Sequence, residues 1–368
     1  MRKISLLFIF TLCSVVGLFA QNTVICKEIG YFNNGLAPVL VDNQWGFVDK
    51  TGKIVIEPQF KAWVEEYGAL PAFSEGFTTV VDTQTDRVGY INLKGEMVIP
   101  AKFYSGSPFR ENVAFARLQD EKVLIDTAGK VIARGFVALN GYHSHFSHDL
   151  AVVQKEFAYG YINKEGKFAI EPVYEEAKDF ADGLAAVKKD GKWGFIDTLG
   201  NTRVPFQFTR EPKSFSDYRA FVQGTNNKWG IIDTIGKLIV NPQYHQVWPF
   251  GGGVAVVSIM DEKFTETFYL IDVNGKVLKT YAKAANYSET ITFWSGFQEG
   301  LAVAMKGHKK GFIDPQGKVV VDFLYRDLHP LQDGMAWFEK YDDKTRKVTK
   351  GYLDKTGKVI MVIEPPMF

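Results

Sequence analysis

The chain has 368 residues, a length that by itself suggests two or three ordinary domains. Its 43 Lys and Arg residues almost balance 42 Asp and Glu residues, and the net charge of +1 argues against a nucleic-acid-binding surface, which is usually basic. With 46% hydrophobic and 14% aromatic residues but two cysteines, the chain can bury a core yet cannot form a disulfide scaffold.

The first predicted element, residues 1–20, has the layout of a secretory signal peptide. Arg2 and Lys3 make a positive start, residues 4–19 are almost wholly apolar, and Ala20 precedes a polar pair. This apolar run is shorter than the ~20 residues that a membrane-spanning helix needs. We therefore expect cleavage after Ala20 and export to the periplasm, the cell surface or the medium, with an uncleaved anchor as the alternative.

After a short lead-in at residues 21–30, residues 31–368 are expected to form a single domain of nine repeats. A turn motif, Asp-x-x-Gly-Lys with small variations, recurs nine times, and its clearest copies follow Trp45, Trp193 and Trp229. No later segment is long and apolar enough to span a membrane. A fixed period of this kind indicates a repeat architecture rather than two or three separate domains.

A second motif keeps the same period and reads aromatic-x-x-Gly-apolar-Ala. Residues 180–185 and 297–302 are typical copies. The turn glycines from Gly52 to Gly357 span 305 residues in eight steps, or about 38 residues per repeat. Two motifs in phase make the repeat assignment strong.

Each repeat is predicted to contain three short strands. In the fifth repeat, residues 183–187 form the first strand and a Trp-Gly-Phe-Ile-Asp segment forms the second. Asp-x-x-Gly is then typical of a type I turn with a left-handed glycine. A third strand, such as residues 53–57, is expected to end at Pro58. The glycine inside the second strand indicates a bulky neighbour, for which we expect an aromatic side chain of the adjacent repeat.

Three short strands cannot bury their own faces, so each repeat must stack on the next. Large aromatic side chains at fixed positions serve that purpose, because each buries about 150–250 Å². The fold class predicted is therefore all-β, with tandem three-strand units in an open, stacked, solenoid-like array. A large propeller-like ring is the alternative, although closing nine units demands an unusually large one.

At this point the sequence resembles the WG-repeat (KWG-type) family of bacterial proteins. The resemblance rests on Trp-Gly-Phe-Ile-Asp-x-x-Gly-Lys preceded by Phe-x-x-Gly-Leu-Ala, and it covers residues 31–368. It implies an all-β repeat protein, often exported, with no shared catalytic activity and no active site to transfer. Val123 and Tyr269 replace the motif glycine, so the third and seventh repeats depart furthest. The motif tryptophan is replaced at six sites: Val88, Lys122, Tyr159, Phe268, Lys310 and Lys350.

A cluster of histidines is the one dense group that does not repeat. His143 and His145 would share one face of a strand and could chelate zinc or copper together with His148. The favoured alternative is that they are loop histidines, since Phe146 occupies a repeat-motif position and His148 a turn position. We therefore predict no metal site and no cofactor.

Tryptophans between the motifs are the candidate binding residues. Trp63, Trp248 and Trp294 lie in the linkers, where exposed indoles could stack on sugar rings or anchor a partner. Packing beneath the linkers is the favoured alternative.

Enzyme signatures such as Gly-x-Ser-x-Gly and His-Glu-x-x-His are missing from the sequence. We therefore predict an exported, non-catalytic binding or scaffold module for a protein or a cell-envelope glycan, with no nucleic-acid partner. Two alternatives stay open. One is a glycan-acting enzyme with carboxylates drawn from different repeats, and the other is a structural spacer of the envelope.

Overall fold

A computed structural model describes residues 22–61, 70–135, 137–138 and 145–366. The predicted signal peptide, Trp63 and His143 lie outside the described residues. Within them, regular structure is almost entirely β, with one 3-10 turn at Tyr287–Glu289. None of the described helical structure is long and apolar enough to cross a membrane.

The described strands form nine sheets, one per repeat, which we number blades 1 to 9 along the chain. A strand β1 (Asn22–Ile25) precedes them. Blades 1 to 3 comprise β2 (Glu28–Ile29), β3 (Leu36–Val41), β4 (Gln44–Asp49), β5 (Ile54–Lys61); β6 (Phe77–Val81), β7 (Val88–Asn92), β8 (Met97–Phe103); and β9 (Ser105–Gly106), β10 (Val113–Leu118), β11 (Glu121–Asp126), β12 (Val131–Arg134).

Blades 4 to 6 comprise β13 (Val137–Ala138), β14 (Leu150–Lys155), β15 (Ala158–Asn163), β16 (Phe168–Tyr174); β17 (Glu176–Ala177), β18 (Leu184–Lys189), β19 (Lys192–Asp197), β20 (Thr202–Phe208); and β21 (Ala220–Gln223), β22 (Trp229–Ile232), β23 (Leu238–Tyr244). Blades 7 to 9 comprise β24 (Val254–Met260), β25 (Glu266–Asp272), β26 (Val277–Tyr281); β27 (Ile291–Gln298), β28 (Leu301–Lys306), β29 (Lys309–Ile313), β30 (Val319–Tyr325); and β31 (Asp327–Leu328), β32 (Met335–Tyr341), β33 (Val348–Asp354), β34 (Val359–Glu364). Within each blade, consecutive strands pair antiparallel.

Two turns shape every blade, and blade 5 shows both. Before β18, Asp182 and Gly183 have φ values of 50° and 76°, the pair of positive angles that a type I′ turn requires. After β19, the amide of Gly200 donates to the carbonyl of Asp197 at 2.9 Å, and Gly200 has φ 82°. The predicted Asp-x-x-Gly turn with a left-handed glycine is therefore confirmed.

Two local predictions are wrong, and one irregularity explains both. In blade 1, Trp45 pairs with Phe60 but Phe47 pairs with Ile56, so two extra residues bulge out opposite Gly46. A Cβ added to Gly46 would lie 2.5 Å from the carbonyl oxygen of Ile56. The space beside Gly46 is thus occupied by the backbone of the third strand of the same blade. The expected aromatic side chain of the next repeat does not lie there. The strand also runs past Pro58, because the bulge spares the proline from donating a ladder hydrogen bond.

The core lies between neighbouring blades, as stacking requires. One cluster joins Trp193 and Phe195 of blade 5 to Phe215 and Ile232 of blade 6. The aromatic position of the second motif is at most 9% exposed in every blade: Phe32, Phe73, Phe109, Phe146, Phe180, Phe215, Phe250, Phe297 and Leu331. Most of the aromatic excess therefore fills the interfaces between blades.

The nine blades close into a ring. Strand β1 pairs in parallel with β34, so the start of the described chain completes the sheet of blade 9. At the same junction, which we call the seam, the Tyr352 hydroxyl donates to the carbonyl of Gly30 at 2.7 Å, and the Gly35 amide donates to Asp333 at 2.6 Å. The arrangement is a nine-bladed β-propeller, so the alternative of a propeller-like ring replaces the favoured open stack. The ring closes because blade 9 contacts blade 1 through the same kinds of hydrogen bond that join consecutive blades elsewhere in the chain.

One of these contacts is a hydrogen bond between the type I′ turn of a blade and the turn of the next blade, and we call the series of these bonds the relay of turns. The first central residue of a turn accepts from a backbone N–H of the next turn, as Asp182 accepts from Tyr218 at 2.7 Å. Gly252 of blade 7 has no side chain to do so. The acceptors in the other blades are Asn34, Glu75, Glu111, His148, Asp182, Asp217, Glu299 and Asp333.

Candidate functional site

The described linker tryptophans differ in exposure. Trp294 is 61% exposed, whereas Trp248 is half-buried and its ring centroid lies 6.2 Å from that of Phe268 in the core. Trp63 lies outside the described residues. Trp294 lies inside β27 and not in a linker as expected. Of Trp248 and Trp294, it is Trp294 whose indole is available to a ligand.

A buried lysine holds Trp294 in place. In blade 5, Lys178 of the linker lies 5.7 Å from the ring centroid of Trp193, the motif tryptophan. Blade 8 exchanges the two residue types: Lys310 occupies the motif position and its ammonium lies 4.1 Å from the ring centroid of Trp294. A cation over an indole face is attractive. Blade 8 therefore keeps the lysine–tryptophan contact of blade 5, but its tryptophan is the exposed member of the pair and its lysine is the buried one.

The charge of Lys310 is neutralised within the same cluster. Lys310 is 8% exposed and donates to a carboxylate oxygen of Asp327 at 2.6 Å, as a buried ammonium requires. Burial alone would raise the pKa of Asp327, but the hydrogen bond and charge of Lys310, helped by His329, outweigh it and hold that pKa below its ordinary value. Asp327 therefore stays ionised at neutral pH and acts as an acceptor.

The Asp327 cluster continues across the seam to blade 1. Nε2 of His329 lies 3.3 Å from the second carboxylate oxygen of Asp327, and Nδ1 lies 2.5 Å from the hydroxyl of Tyr31. This fits an imidazole that donates from Nε2 and accepts from Tyr31. Trp337 packs on the imidazole with a centroid separation of 4.9 Å. Burial, followed by the charge of Asp327, raises the pKa of Tyr31, so this hydroxyl keeps its proton.

Trp294, Lys310, Asp327 and His329 border an open cleft of about 570 Å³ between blades 8 and 9. We call it the Trp294 cleft. Glu339, the cross-strand partner of Asp327, lies 3.4 Å from Arg326 and 3.5 Å from Lys350. Residues lining the cleft include Trp294, Lys310, Arg326, Asp327, His329 and Glu339. The cleft thus combines one aromatic surface with two carboxyl groups and a guanidinium, a set that can hydrogen-bond a polyhydroxylated ligand.

The histidines of the sequence cluster have separate partners. His145 lies 3.5 Å from Asp179, while Nε2 of His148 accepts from the Gly183 amide at 3.1 Å and so serves in the relay of turns. His143 lies outside the described residues. Within the described part of the chain, no group of three or more His, Cys, Asp or Glu residues is placed to hold a metal ion.

The sequence offers Trp294 as a candidate binding residue but gives little indication of the residues around it. Lys310 stands out only as a departure from the motif, and the motifs do not single out Asp327, His329 or Tyr31. A usable signal existed, because a linker tryptophan and a motif lysine occur together in blade 8 where blade 5 has the reverse. The cluster across the seam had no such signal, since it requires ring closure.

The sequence matches the profile of a family described as WG containing repeat. Together the matched segments span more than half of the chain. They leave out most of blade 7, one of the two repeats that depart furthest from the motif. The segments are residues 25–45, 45–81, 89–122, 159–193, 193–229, 229–264 and 311–344. Among curated proteins, none matches the sequence.

Solved structures that are similar share low sequence identity. Hsv2 of Kluyveromyces lactis, with loop 6CD replaced by a Gly-Ser linker, is 10% identical, with a TM-score of 0.37 over 77% of this chain and 96% of that one. A quinonprotein alcohol dehydrogenase-like protein of Bacteroides thetaiotaomicron is 12% identical, with a TM-score of 0.32 over 69% and 76%. PorZ, a surface component of the type-IX secretion system of Porphyromonas gingivalis, is 9% identical, with a TM-score of 0.29 over 91% and 60%.

Proposed function

Because this chain belongs to the family of proteins built from WG-containing repeats, and a repeated scaffold leaves function to the residues that do not repeat, we propose that it is an exported, non-catalytic binding module. Its partner is a cell-envelope glycan or a protein, held at the Trp294 cleft.

The observation that carries this proposal is an indole that is both fixed and exposed. Trp294 keeps 61% of its surface in solvent while Lys310 holds it from one side at 4.1 Å. A pre-ordered aromatic loses little conformational entropy on binding. The carboxyl oxygens of Asp327 and Glu339 beside it can accept hydrogen bonds from sugar hydroxyls, so a glycan is the favoured partner.

A glycan-acting enzyme is the second candidate, because Asp327 and Glu339 face each other across paired strands in the cleft. Glycoside hydrolysis needs one carboxyl group that stays protonated, with a raised pKa. The lowered pKa of Asp327 suits the base or nucleophile of such a pair, so Glu339 would have to be the acid. Glu339 is instead paired with two cations, Arg326 and Lys350, an arrangement that does not suit a proton donor. This favours the binding module over the enzyme.

Export is proposed from the amino-terminal sequence. Cleavage after Ala20 would leave β1, which begins at Asn22, available to complete blade 9. Amino-terminal sequencing of the mature protein should therefore begin at Gln21. A mature terminus beyond Ile25 would remove β1 and contradict this processing site.

The binding proposal is tested on a glycan array with the mature protein, followed by a reducing-sugar assay on every glycan that binds. We expect binding without turnover, and Trp294→Ala should weaken it at least about tenfold, or ~1.4 kcal/mol. Phe264→Ala is the matched control, because Phe264 is 84% exposed and lies in blade 7, outside the cleft. It should bind like the wild type.

Each other outcome has a defined meaning. Sugar release that Asp327→Asn or Glu339→Gln abolishes would establish the enzyme instead. An array without any binding would reject the glycan partner, and binding that is equal in Trp294→Ala and the wild type would remove the cleft from the proposal. If neither a glycan nor a protein partner binds, the structural spacer becomes the better account.

A further inference from the structure

A second cleft, of about 300 Å³, adjoins the Trp294 cleft between blades 8 and 9. We call it the Leu324 cleft. Residues lining it are His308, Lys309, Leu324, Arg326 and Tyr341. Arg326 also lines the Trp294 cleft, so the two clefts meet at this side chain.

Leu324 places an apolar side chain where several other blades place a glutamine. It precedes Tyr325, which pairs with Lys310 at the motif position, and it is 45% exposed. The residues at the equivalent position of blades 1, 5 and 6 are Gln59, Gln207 and Gln243. Since glutamine suffices for the packing of those blades, an exposed leucine in blade 8 calls for another explanation.

The first hairpin of blade 9 adds a second apolar side chain to the cleft. In blade 5 the paired strands end at Lys189 and Lys192, one pair beyond the motif position. In blade 9 the strands continue one pair further, to Tyr341 and Val348. Both residues of this added pair are partly exposed, at 37% and 42%. The longer hairpin therefore brings an aromatic ring into the lining of the Leu324 cleft.

The lysine and the arginine of this cleft already have carboxylate partners. The ammonium of Lys309 lies 3.5 Å from Asp343, and the guanidinium of Arg326 lies 3.4 Å from Glu339. Long cationic side chains can add their methylene stems to an apolar surface while their charged ends bond elsewhere. An anionic ligand would have to compete with these carboxylates, so an uncharged apolar group fits the cleft better.

We propose that the Leu324 cleft binds the hydrocarbon chain of a glycolipid whose saccharide occupies the Trp294 cleft. This inference rests on the proposed saccharide binding and names its ligand class. Sugar hydroxyls placed against Leu324 and Tyr341 would lose hydrogen bonds to water, whereas a hydrocarbon chain gains affinity with each methylene that it buries. Because the two clefts meet at Arg326, one molecule can fill both.

The test is calorimetric titration of the mature protein with matched pairs of probes. The probes are the methyl and hexyl glycosides of glucose, galactose, mannose and N-acetylglucosamine, each used below the concentration at which micelles form. We expect each hexyl glycoside to bind at least about tenfold more tightly than its methyl partner, because one buried methylene contributes up to about fourfold in affinity. The hexyl chain should also make the heat-capacity change of binding more negative.

The decisive variant is Leu324→Gln, which introduces the residue of blades 1, 5 and 6. It should reduce the hexyl advantage to about twofold and leave the affinity for methyl glycosides unchanged. Tyr341→Ser should act in the same direction. The matched control is Val173→Gln, because Val173 holds the equivalent position in blade 4 and is 56% exposed. It should keep the hexyl advantage of the wild type.

Two results would overturn the glycolipid alone. They are hexyl glycosides that bind no more tightly than methyl glycosides, or a hexyl advantage that persists in Leu324→Gln while circular dichroism shows the variant folded. Trp294→Ala should weaken methyl and hexyl glycosides by the same factor. If it binds both like the wild type, the saccharide site fails and the glycolipid fails with it, so the two failures are distinguishable.

Discussion

At the residue scale, the chemistry of a side chain in this ring depends on which partner its repeat position supplies. A lysine in the linker and a tryptophan in the motif make a covered interface in blade 5, through Lys178 and Trp193. The reverse order in blade 8 exposes Trp294 and buries Lys310. The same two residue types thus serve as scaffold in one blade and as a candidate binding surface in another.

The first prediction concerns the ionisation of Asp327. Replacing Lys310 by Met removes the hydrogen bond and positive charge that offset burial of the carboxyl, so the pKa of Asp327 should rise. A carbon-detected NMR titration of the Asp327 carboxyl measures this directly. Lys309→Met is the control, because Lys309 pairs with Asp343 at 3.5 Å instead. An Asp327 pKa that is equal in both variants would contradict the assigned role of Lys310.

At the scale of the element, every blade repeats the same two turns, and six of the nine blades (1, 2, 4, 5, 6 and 8) also carry the two-residue bulge opposite the motif glycine. The type I′ turn, the Asp-x-x-Gly turn and, where it is present, the bulge fix the register of the strands. Gly194 shows why the motif glycine is needed, since a Cβ there would lie 2.7 Å from the carbonyl oxygen of Val204. The bulge, not the strand conformation, therefore demands the glycine of the WG motif.

The second prediction separates crowding from backbone strain. Gly194→Ala should lower the free energy of unfolding by about 3 kcal/mol, the upper part of the range for overpacking, because the third strand must move. Gly191→Ala should cost about 1 kcal/mol, since its φ of 72° strains an alanine but nothing lies within 4 Å of the added carbon. Urea unfolding compares them. Equal losses would show that the carbonyl of Val204 does not limit this site.

The third prediction concerns acid stability of the Asp-x-x-Gly turns. At Asp49, Asp197 and Asp354, burial alone would raise the carboxyl pKa, but hydrogen bonds from the turn outweigh it and lower the pKa. A pKa below the unfolded value of ~3.9 gives stability that is present above about pH 4 and lost as pH falls through the folded pKa.

Changing all three aspartates to Asn should flatten the loss of stability below about pH 4, as measured by urea midpoints from pH 6 down to 2.5. Native turns supply the precedent, because the side-chain oxygen of Asn163 accepts from the Lys167 amide at 2.9 Å. The amide therefore keeps the turn without the titration. A triple variant whose midpoint still falls as steeply as the wild type would assign acid sensitivity to other groups.

How much could be predicted from sequence follows from the range of each interaction. The Asp-x-x-Gly turn depends on residues within five positions of each other. Asp197 and Gly200 were therefore enough to predict it from the sequence. Gly46 predicted that another part of the chain comes close to it, but not which part. The reason is that the bulge that fills this space depends on residues ten positions away. The cluster of Tyr31 and His329 had no local signal at all, since its members are 298 residues apart.

At the scale of the whole molecule, closure of the ring is the property that most affects function. It brings Tyr31 of blade 1 against His329, which lines the Trp294 cleft, and it covers the edge strand β34 of blade 9 with β1. An unpaired sheet edge is prone to pair with other chains. Blades 8, 9 and 1 therefore form one continuous surface, with Cys26 buried at the seam and its amide bonded to the carbonyl of Glu364 at 3.1 Å.

The fourth prediction tests closure with two matched tyrosines. The hydroxyl of Tyr352 donates to Gly30 across the seam at 2.7 Å, and that of Tyr161 donates to Lys178 between blades 4 and 5 at the same distance. In a closed ring, Tyr352→Phe and Tyr161→Phe should each cost about 1–2 kcal/mol in urea unfolding, because each leaves a carbonyl without its donor. An open stack would leave Tyr352→Phe without cost.

The rate at which a thiol reagent labels Cys26 measures how often the seam opens. Burial raises the pKa of its thiol to about 11, so labelling by a thiol reagent at neutral pH requires exposure of β1. In the chain from Gln21 onward, where Cys26 is the remaining cysteine, Tyr352→Phe should speed labelling about 5–30-fold, the factor that corresponds to one or two kcal/mol. Tyr161→Phe should speed it less, since its blades lie away from the seam. Faster labelling in Tyr161→Phe than in Tyr352→Phe would mean that the ring opens between blades 4 and 5, and that β1 is not its weakest junction.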